Sequence, residues 1–193
     1  MSMAASQQGE AQPVNDVRDA VVQGLPALGP SRRFLVDLDK IDLGSTYLDR
    51  EGIAPWIPHR DDMALLDEII WKSRDNTHGV ALKRVGHDEF WVSGHFPGKP
   101  MLPGVLMVEA GAQLGCFLFN VRQPRTVLAA FLRIDNVASW SAVEPGEDLY
   151  LLAREIKCSS RRFVSEIQGV VDGQLAFEAS ITGMNLGPAE RRG

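Results

Sequence analysis

The chain has 193 residues, of which 45% are hydrophobic and 23% are charged, and its formal net charge is −5. This length suits one domain with a tail, or at most two small domains, and the composition excludes a wholly disordered chain. The negative net charge argues against a nucleic-acid surface, and the longest strongly apolar stretch, 127–132, is too short to span a membrane. We therefore expect neither nucleic acid nor membrane as a partner.

The chain contains two cysteines, Cys116 and Cys158, which do not form a Cys-x-x-Cys pair. Two separate thiols in a chain of this length are typical of a reducing compartment rather than of a disulfide scaffold. The polar N-terminus also lacks the basic and then apolar layout of a signal peptide. The sequence thus predicts a cytoplasmic location.

Composition divides the chain into three parts. Residues 1–52 are interpreted as an N-terminal arm that is partly disordered, 53–186 as the core domain and 187–193 as a polar tail. Within the arm, apolar residues at helical spacing over 14–25 indicate a short docking helix. The alternation over 34–43 predicts an edge segment or an extended arm lying on the main domain.

Strand patterns occur on both sides of one long apolar segment. The predicted strands are 78–85, 89–92, 126–134, 149–158, 163–171 and 174–182. The apolar segment 104–119 predicts a helix that is buried on nearly every side, because Glu109 and Gln113 are its only strongly polar residues. Asp172-Gly173 between the last two strands is a strong signal for a two-residue hairpin. The pattern predicts an α+β fold in which a curved antiparallel sheet wraps one long buried helix.

The loop before this helix carries the most chemical information. Its prolines, at 97, 100 and 103, fix φ at three points, and its glycines, at 98 and 104, allow close backbone approach. This composition predicts a stiff loop with His95 at its start and a helix N-terminus at its end. Free amides near Gly104 and Val105, at the positive end of the helix dipole, are suited to holding negative charge on a thioester oxygen.

Glu109 lies more than one turn into the same helix. Burial is expected to raise the pKa of its carboxyl unless it is paired, so that it donates a proton at neutral pH while a neutral His95 accepts one. These parts suit proton removal next to a carbonyl and loss of a leaving group at the β carbon. We assign His95 as the base, Gly104 as the amide that polarises the carbonyl and Glu109 as the acid. No metal or redox cofactor is required.

The segment GHFPGKPMLPGVLMVEAGAQ, residues 94–113, resembles the signature of the FabZ-type 3-hydroxyacyl-[acyl-carrier-protein] dehydratases, which have the hot-dog fold. The resemblance extends to Ile57-Pro58-His59-Arg60 upstream and to residues 143–149 downstream, and covers roughly residues 55–184. It implies that His95 and Glu109 match the catalytic histidine and glutamate of the family. Aspartate stands at the position of Glu109 in the related FabA branch, which also isomerises, so glutamate favours the FabZ-like branch.

The resemblance also implies partners and a binding site. It implies a homodimer, often assembled as a trimer of dimers, in which the histidine and the glutamate of one site come from different subunits. The acyl chain is expected in a tunnel at that interface, carried by phosphopantetheine on acyl carrier protein or as a coenzyme A thioester. We assign substrate binding to Phe96, Pro103, Val105 and Gln113. Without a cofactor, the product is a trans-2-enoyl thioester, in fatty-acid or related lipid or polyketide biosynthesis.

The sequence departs from the family pattern in two places. After Arg60 the family usually has Tyr-Pro-Phe, where this chain has Asp61-Asp62-Met63. Before the Pro145-Gly146 turn the family usually has basic and aromatic residues, where this chain has Ala138-Ser139-Trp140-Ser141-Ala142. Both changes, with the extra N-terminal arm, point toward a specialised paralogue.

The same residues also fit structural roles. Glu109 in an apolar helix also fits a buried salt-bridge partner of an arginine, and Gln113 fits a structural hydrogen-bonding residue. His59 and Arg60 are interpreted as shaping the loop near the site, and Cys116 as core packing.

Other functions also fit the same fold. A hot-dog thioesterase or an enoyl hydratase is one alternative, and a non-catalytic acyl-binding subunit of a lipid assembly system is another. Hydrolysis needs a carboxylate placed to activate water at the thioester carbonyl, and a binding subunit has no use for a buried carboxylate such as Glu109.

Overall fold

The computed structural model describes residues 34–189, which form seven strands and two helices. The strands are β1 (Leu48–Asp49), β2 (Glu68–Lys72), β3 (His78–Arg84), β4 (Val127–Ser139), β5 (Asp148–Cys158), β6 (Arg162–Val171) and β7 (Gln174–Pro188). The helices are α1 (Arg50–Ile53) and α2 (Gly104–Asn120), and 3-10 turns occupy Leu38–Lys40 and Asp61–Met63.

The strands form one antiparallel sheet in the order β1-β2-β3-β5-β6-β7-β4. Helix α2 packs on one face of this sheet, against β3, β5, β6 and β7. All of its residues from Ala110 onward are buried, as its composition predicts for a helix without a polar face. The predicted α+β fold, one long buried helix on an antiparallel sheet, is confirmed.

The hairpin between β6 and β7 turns at Asp172 and Gly173. Both residues have positive φ, 48° and 71°, which is the conformation that a two-residue turn of type I′ requires. Val171 and Gln174 pair on either side of it. The hairpin predicted from the Asp-Gly pair is therefore confirmed.

The segment preceding β1 lies on the sheet face opposite α2. Val36 is buried there against Ile70, Val80 and Leu152, and the amide of Leu35 donates to Oε1 of Gln168 over 2.8 Å. Residues of the 34–43 segment thus lie on the main domain, in line with one of the two interpretations made from the sequence, and strand β1 lies before the expected boundary at residue 53. The docking helix predicted within 14–25 lies outside the described residues.

One predicted strand is wrong, and two observed strands, β1 and β2, were not predicted. Residues 89–92 form turns, because the Glu89 carboxylate binds Nζ of Lys83, the amide of Gly86 and Nε1 of Trp91. These side-chain bonds hold the segment in place of a strand ladder. Strand β2 was missed, since it is short and an irregularity between Ile69 and Trp71 interrupts its alternation.

Within residues 34–189, no helix combines the length and the apolar character needed to cross a lipid bilayer.

Candidate active site

The loop from Gly94 to Pro103 is held by its own backbone. The amides of Phe96 and Lys99 each donate to the carbonyl of the other, over 3.2 and 3.0 Å, and Gly98 between them has a φ of 79°. The amide of Leu102 donates to the carbonyl of Val143 over 2.7 Å, which ties the loop to the segment between β4 and β5. The stiff loop predicted from its prolines and glycines is what the structure contains.

His95 is half-buried at the start of this loop. Its Nδ1 lies 2.8 Å from the carbonyl oxygen of Met101. A carbonyl oxygen only accepts, so Nδ1 carries the proton and Nε2 keeps its lone pair in the neutral ring. The imidazole stacks on Phe96 with ring centroids 4.1 Å apart. His95 is therefore oriented as a base through Nε2.

Helix α2 begins at an exposed N-terminus. The carbonyl of Pro103 accepts from the amides of Leu106 and Met107, over 2.8 and 3.2 Å. The amides of Gly104 and Val105 have no acceptor within the described part of the chain. Gly104 is exposed and the side chain of Val105 is 77% exposed, so both amides are accessible to an oxyanion.

Glu109 lies on the same helix, with its side chain only 18% exposed. Its Oε1 lies 3.2 Å from Nε2 of His59 and accepts from Nε2 of Gln113 over 3.0 Å. Burial alone would raise the pKa of Glu109, but the hydrogen bonds from His59 and Gln113 bring the pKa below its ordinary value. Glu109 is thus the paired case, for which the sequence did not predict a raised pKa. The partner is a histidine and not the arginine weighed from the sequence.

Gln113 is fully buried and connects Glu109 to a neighbouring loop. Its Nε2 also donates to the carbonyl of Met63 over 2.8 Å, and its Oε1 accepts from the amide of Leu65 over 3.0 Å. Met63 belongs to the segment that departs from the family pattern, yet it contributes only a backbone oxygen here. Gln113 is therefore the structural hydrogen-bonding residue that the sequence suggested, and it also holds Glu109.

Glu109 lines an apolar pocket of about 270 Å³ between α2 and the sheet. The pocket is lined by His59, Glu109, Ala112, Gln113, Cys116, Ala129, Ala130, Phe131, Phe163 and Gly183. Cys116 is buried in its wall, and burial raises the pKa of its thiol to about 12, which fits core packing and not a nucleophile. An apolar pocket with a carboxyl in its wall suits an acyl chain whose reacting end lies near that carboxyl.

His95 and Glu109 make separate sets of contacts within one chain. His95 bonds to its own loop, Glu109 bonds to His59 and Gln113, and the residues lining the Glu109 pocket do not include His95. Of the assigned substrate-binding residues, Phe96, Pro103 and Val105 lie on the His95 side and Gln113 on the Glu109 side. No hydrogen bond or ion pair among residues 34–189 joins His95 to Glu109.

His59 is the site residue that sequence reasoning missed. Its neighbour Arg60 does shape the loop, since the guanidinium donates to the carbonyls of Ala54, Ile57 and His59. His59 instead reaches Glu109, which is far away in sequence. The Pro58-His59-Arg60 motif was the available signal, but nothing local in the sequence indicates what the imidazole contacts. Within residues 34–189 no group of three His, Cys, Asp or Glu side chains is placed to hold a metal ion.

Comparisons with known proteins place the chain in a family. The family model of the FabA-like domain matches residues 57–180. A protein named 3-hydroxyacyl-[acyl-carrier-protein] dehydratase FabZ from Janthinobacterium sp. (strain Marseille) is 34% identical over 139 residues, which cover 69% of this chain and 88% of that protein. A protein of the same name from Streptococcus equi subsp. zooepidemicus (strain MGCS10565) is 36% identical over 70% of this chain and 96% of its own length. The chain belongs to the FabA-like family, which includes these FabZ dehydratases.

Solved structures agree on the fold. The dehydratase heterocomplex ApeI:P from Xenorhabdus doucetiae matches with a TM-score of 0.63 at 19% identity, over 73% of this chain and 93% of that chain. Cj0977 from Campylobacter jejuni, a sigma28-regulated virulence protein, matches with a TM-score of 0.57 at 12% identity, over 75% and 95% of the two chains. At these identities the likeness shows the fold alone, and that fold is the predicted hot-dog fold.

Proposed function

We propose that this chain is a 3-hydroxyacyl-[acyl-carrier-protein] dehydratase, a hydro-lyase of fatty-acid biosynthesis that forms trans-2-enoyl thioesters. Membership of the FabA-like family supports the reaction, as do relatives named for it. One observation carries the assignment of the site. The hydrogen bond from Nδ1 of His95 to Met101 leaves Nε2 as a free base close in sequence to the unpaired amides that begin α2.

His95 is the base of the proposed reaction. Its Nε2 accepts the proton from C2 of the substrate, and the electron pair of that C–H bond moves onto the thioester oxygen. The amides of Gly104 and Val105 donate hydrogen bonds to the resulting enolate oxygen. Gly104 allows close approach because it has no side chain.

Glu109 is the acid in the second half of the proposed reaction. The enolate electrons form the C2=C3 bond, the C3–O bond breaks, and the departing oxygen takes the proton of Glu109 and leaves as water. His95 then holds one proton more and Glu109 one fewer, and exchange with solvent restores both. The lowered pKa favours the carboxylate of Glu109 in the free chain, so the step requires that Glu109 takes up a proton when bound substrate covers the pocket and excludes water.

We further propose that the complete site forms between two copies of the chain. The separate contacts of His95 and Glu109 within one chain support this arrangement. Strand β4 ends the sheet, is paired on one side only with β7, and exposes Leu128, Phe131, Leu132, Ile134 and Val137. An exposed apolar edge strand of this length is a ready surface for pairing with a second copy. Pairing there would bring a second chain to the β4 wall of the Glu109 pocket, which Phe131 lines.

The substrate is carried in on phosphopantetheine, attached to acyl carrier protein or to coenzyme A, and the proposed steps need no metal or redox cofactor. Phe96 and Val105, 49% and 77% exposed in one protomer, would flank the thioester, with Pro103 between them along the chain. The acyl chain would enter the apolar pocket at Gln113 and Phe163.

Turnover of defined thioesters tests the reaction. Purified protein is given 3-hydroxyacyl and trans-2-enoyl thioesters of several lengths on carrier protein and on coenzyme A, and enoyl-thioester absorbance is followed. The proposal expects turnover by the parental protein and its loss in His95→Ala. Thioester hydrolysis without enoyl formation, or no turnover on any substrate, contradicts the proposal.

A further inference from the structure

His59 contacts the acid Glu109 but takes no part in the reaction described above. Its Nε2 lies 3.2 Å from Oε1 of Glu109, and Gln113 donates to the same oxygen over 3.0 Å. Oε2 has no hydrogen-bond donor among residues 34–189. Since Oε1 is occupied by two donors, the proton of a neutral Glu109 carboxyl belongs on Oε2.

The surroundings of His59 fix its tautomer. Its Nδ1 is buried and has no hydrogen-bond partner in the described part of the chain. A proton on Nδ1 would therefore lack an acceptor, which is unfavourable in a buried position. The geometry favours the proton on Nε2, where it is donated to Oε1 of Glu109.

The loop that carries His59 is anchored on both sides of the imidazole. The guanidinium of Arg60 bonds to the carbonyls of Ala54, Ile57 and His59 over 2.9, 2.8 and 2.6 Å. Further along, the amide of Leu65 donates to Gln113 over 3.0 Å. The backbone around His59 is thus fixed relative to α2, so the imidazole meets Glu109 in one defined position.

Few other titratable groups face Glu109. Cys116 faces it from its own helix, and the wall formed by β4, β6 and β7 presents Ala129, Ala130, Phe131, Phe163 and Gly183. On its other side His59 borders a second pocket together with Arg60, Asp61 and Asp62. The contact from His59 is therefore the one most able to change the acidity of Glu109.

We propose that His59 is a positioning residue for the dehydration, whose Nε2–H holds Oε1 of Glu109 so that Oε2 alone carries the transferable proton. The same hydrogen bond stabilises the carboxylate that remains after the proton has left, which makes Glu109 a stronger acid. This inference rests on the proposed function, in which Glu109 is the acid.

Two amide variants separate this role from a merely structural one. The amide nitrogen of glutamine sits at about the position of Nε2 along the side chain, whereas that of asparagine corresponds to Nδ1. His59→Asn is expected to lower kcat about 100-fold with little change in KM, because a misplaced acid costs that order of rate. The limb of the pH profile that belongs to Glu109 should move to higher pH. His59→Gln should recover most of kcat and of the position of that limb. His87 is an exposed turn histidine, so His87→Asn should change neither kcat nor the limb.

A second readout does not depend on turnover. Carboxyl 13C resonances of labelled glutamate, with Glu109 assigned from Glu109→Gln, report its titration directly. Glu109 should titrate at higher pH in His59→Asn than in the parental protein. An unchanged titration in an active His59→Asn overturns the inference, as does an equal loss of kcat in both amide variants without movement of the limb. A parental protein that dehydrates no thioester overturns the proposed function instead.

Discussion

Glu109 and Gln113, one turn apart on α2, are joined by a hydrogen bond of 3.0 Å from Nε2 to Oε1. The same amide group binds the backbone at Met63 and Leu65. One buried side chain therefore supports both the fold of a neighbouring loop and the position of the proposed acid. The two roles can be separated by comparing stability with activity.

Gln113→Leu should lower both stability and activity. It leaves the amide of Leu65 and the carbonyl of Met63 buried without partners, at a cost of about 1–3 kcal/mol for each group. It also removes a donor from Glu109, so the pKa of Glu109 should rise. Denaturant unfolding and kcat measured on the same preparation test this.

Asn120→Leu is the matched control for that variant. Asn120 is also fully buried on α2, and it binds the backbone at Trp56 and Val127 without contacting Glu109. It should lose comparable stability and keep its kcat under folding conditions. If both variants lose kcat in proportion to stability, Gln113 does not act through Glu109.

His95→Asn should remove the base while keeping the loop. The amide nitrogen of asparagine can replace Nδ1 as donor to Met101, but nothing replaces the lone pair of Nε2. We expect kcat to fall by about 10²- to 10⁴-fold, the usual contribution of a general base, with Tm unchanged. Near-parental kcat in this variant would exclude His95 as the base.

The acidity of Glu109 predicts how stability depends on pH. Its pKa in the folded state lies below the ordinary value of 4.5, so folding favours the carboxylate. This contribution is present above the unfolded pKa and is lost as the pH falls through the folded pKa. Urea unfolding of the parental protein and of Glu109→Gln should show a difference that shrinks below about pH 4.5. A difference that stays constant from pH 7 to pH 4 would contradict the lowered pKa.

Much of this architecture could be predicted because its signals are local. The apolar run of α2, the Asp172-Gly173 turn and the alternation of β7 each specify an element within a few residues. Glu89 shows where local pattern fails: Phe90 and Val92 resemble a strand, yet bonds from Lys83 and Trp91 fix a turn. The pairing of Glu109 with His59 could not be predicted for a related reason, since it depends on a loop distant in sequence.

Strand β4 should carry the contact between copies. Ile134 on β4 and Ile156 on β5 are 45% and 46% exposed. A charged residue introduced at either position therefore meets a similar exposure, and the two variants can be compared directly. Ile134→Asp should yield a monomer in light scattering and lose turnover, because a charge on an apolar edge opposes pairing. Ile156→Asp should remain associated and active. Equal behaviour of the two variants would remove β4 from the interface.

The most direct test of the shared site is a mixture of two inactive variants. His95→Ala and Glu109→Gln are unfolded together and refolded in equal amounts, with each variant refolded alone as control. If the histidine and the glutamate of one site come from different copies, each mixed dimer holds one intact site. Random pairing then restores about a quarter of parental turnover. No recovery in a mixture that has demonstrably formed mixed dimers would contradict a site built from His95 of one copy and Glu109 of the other.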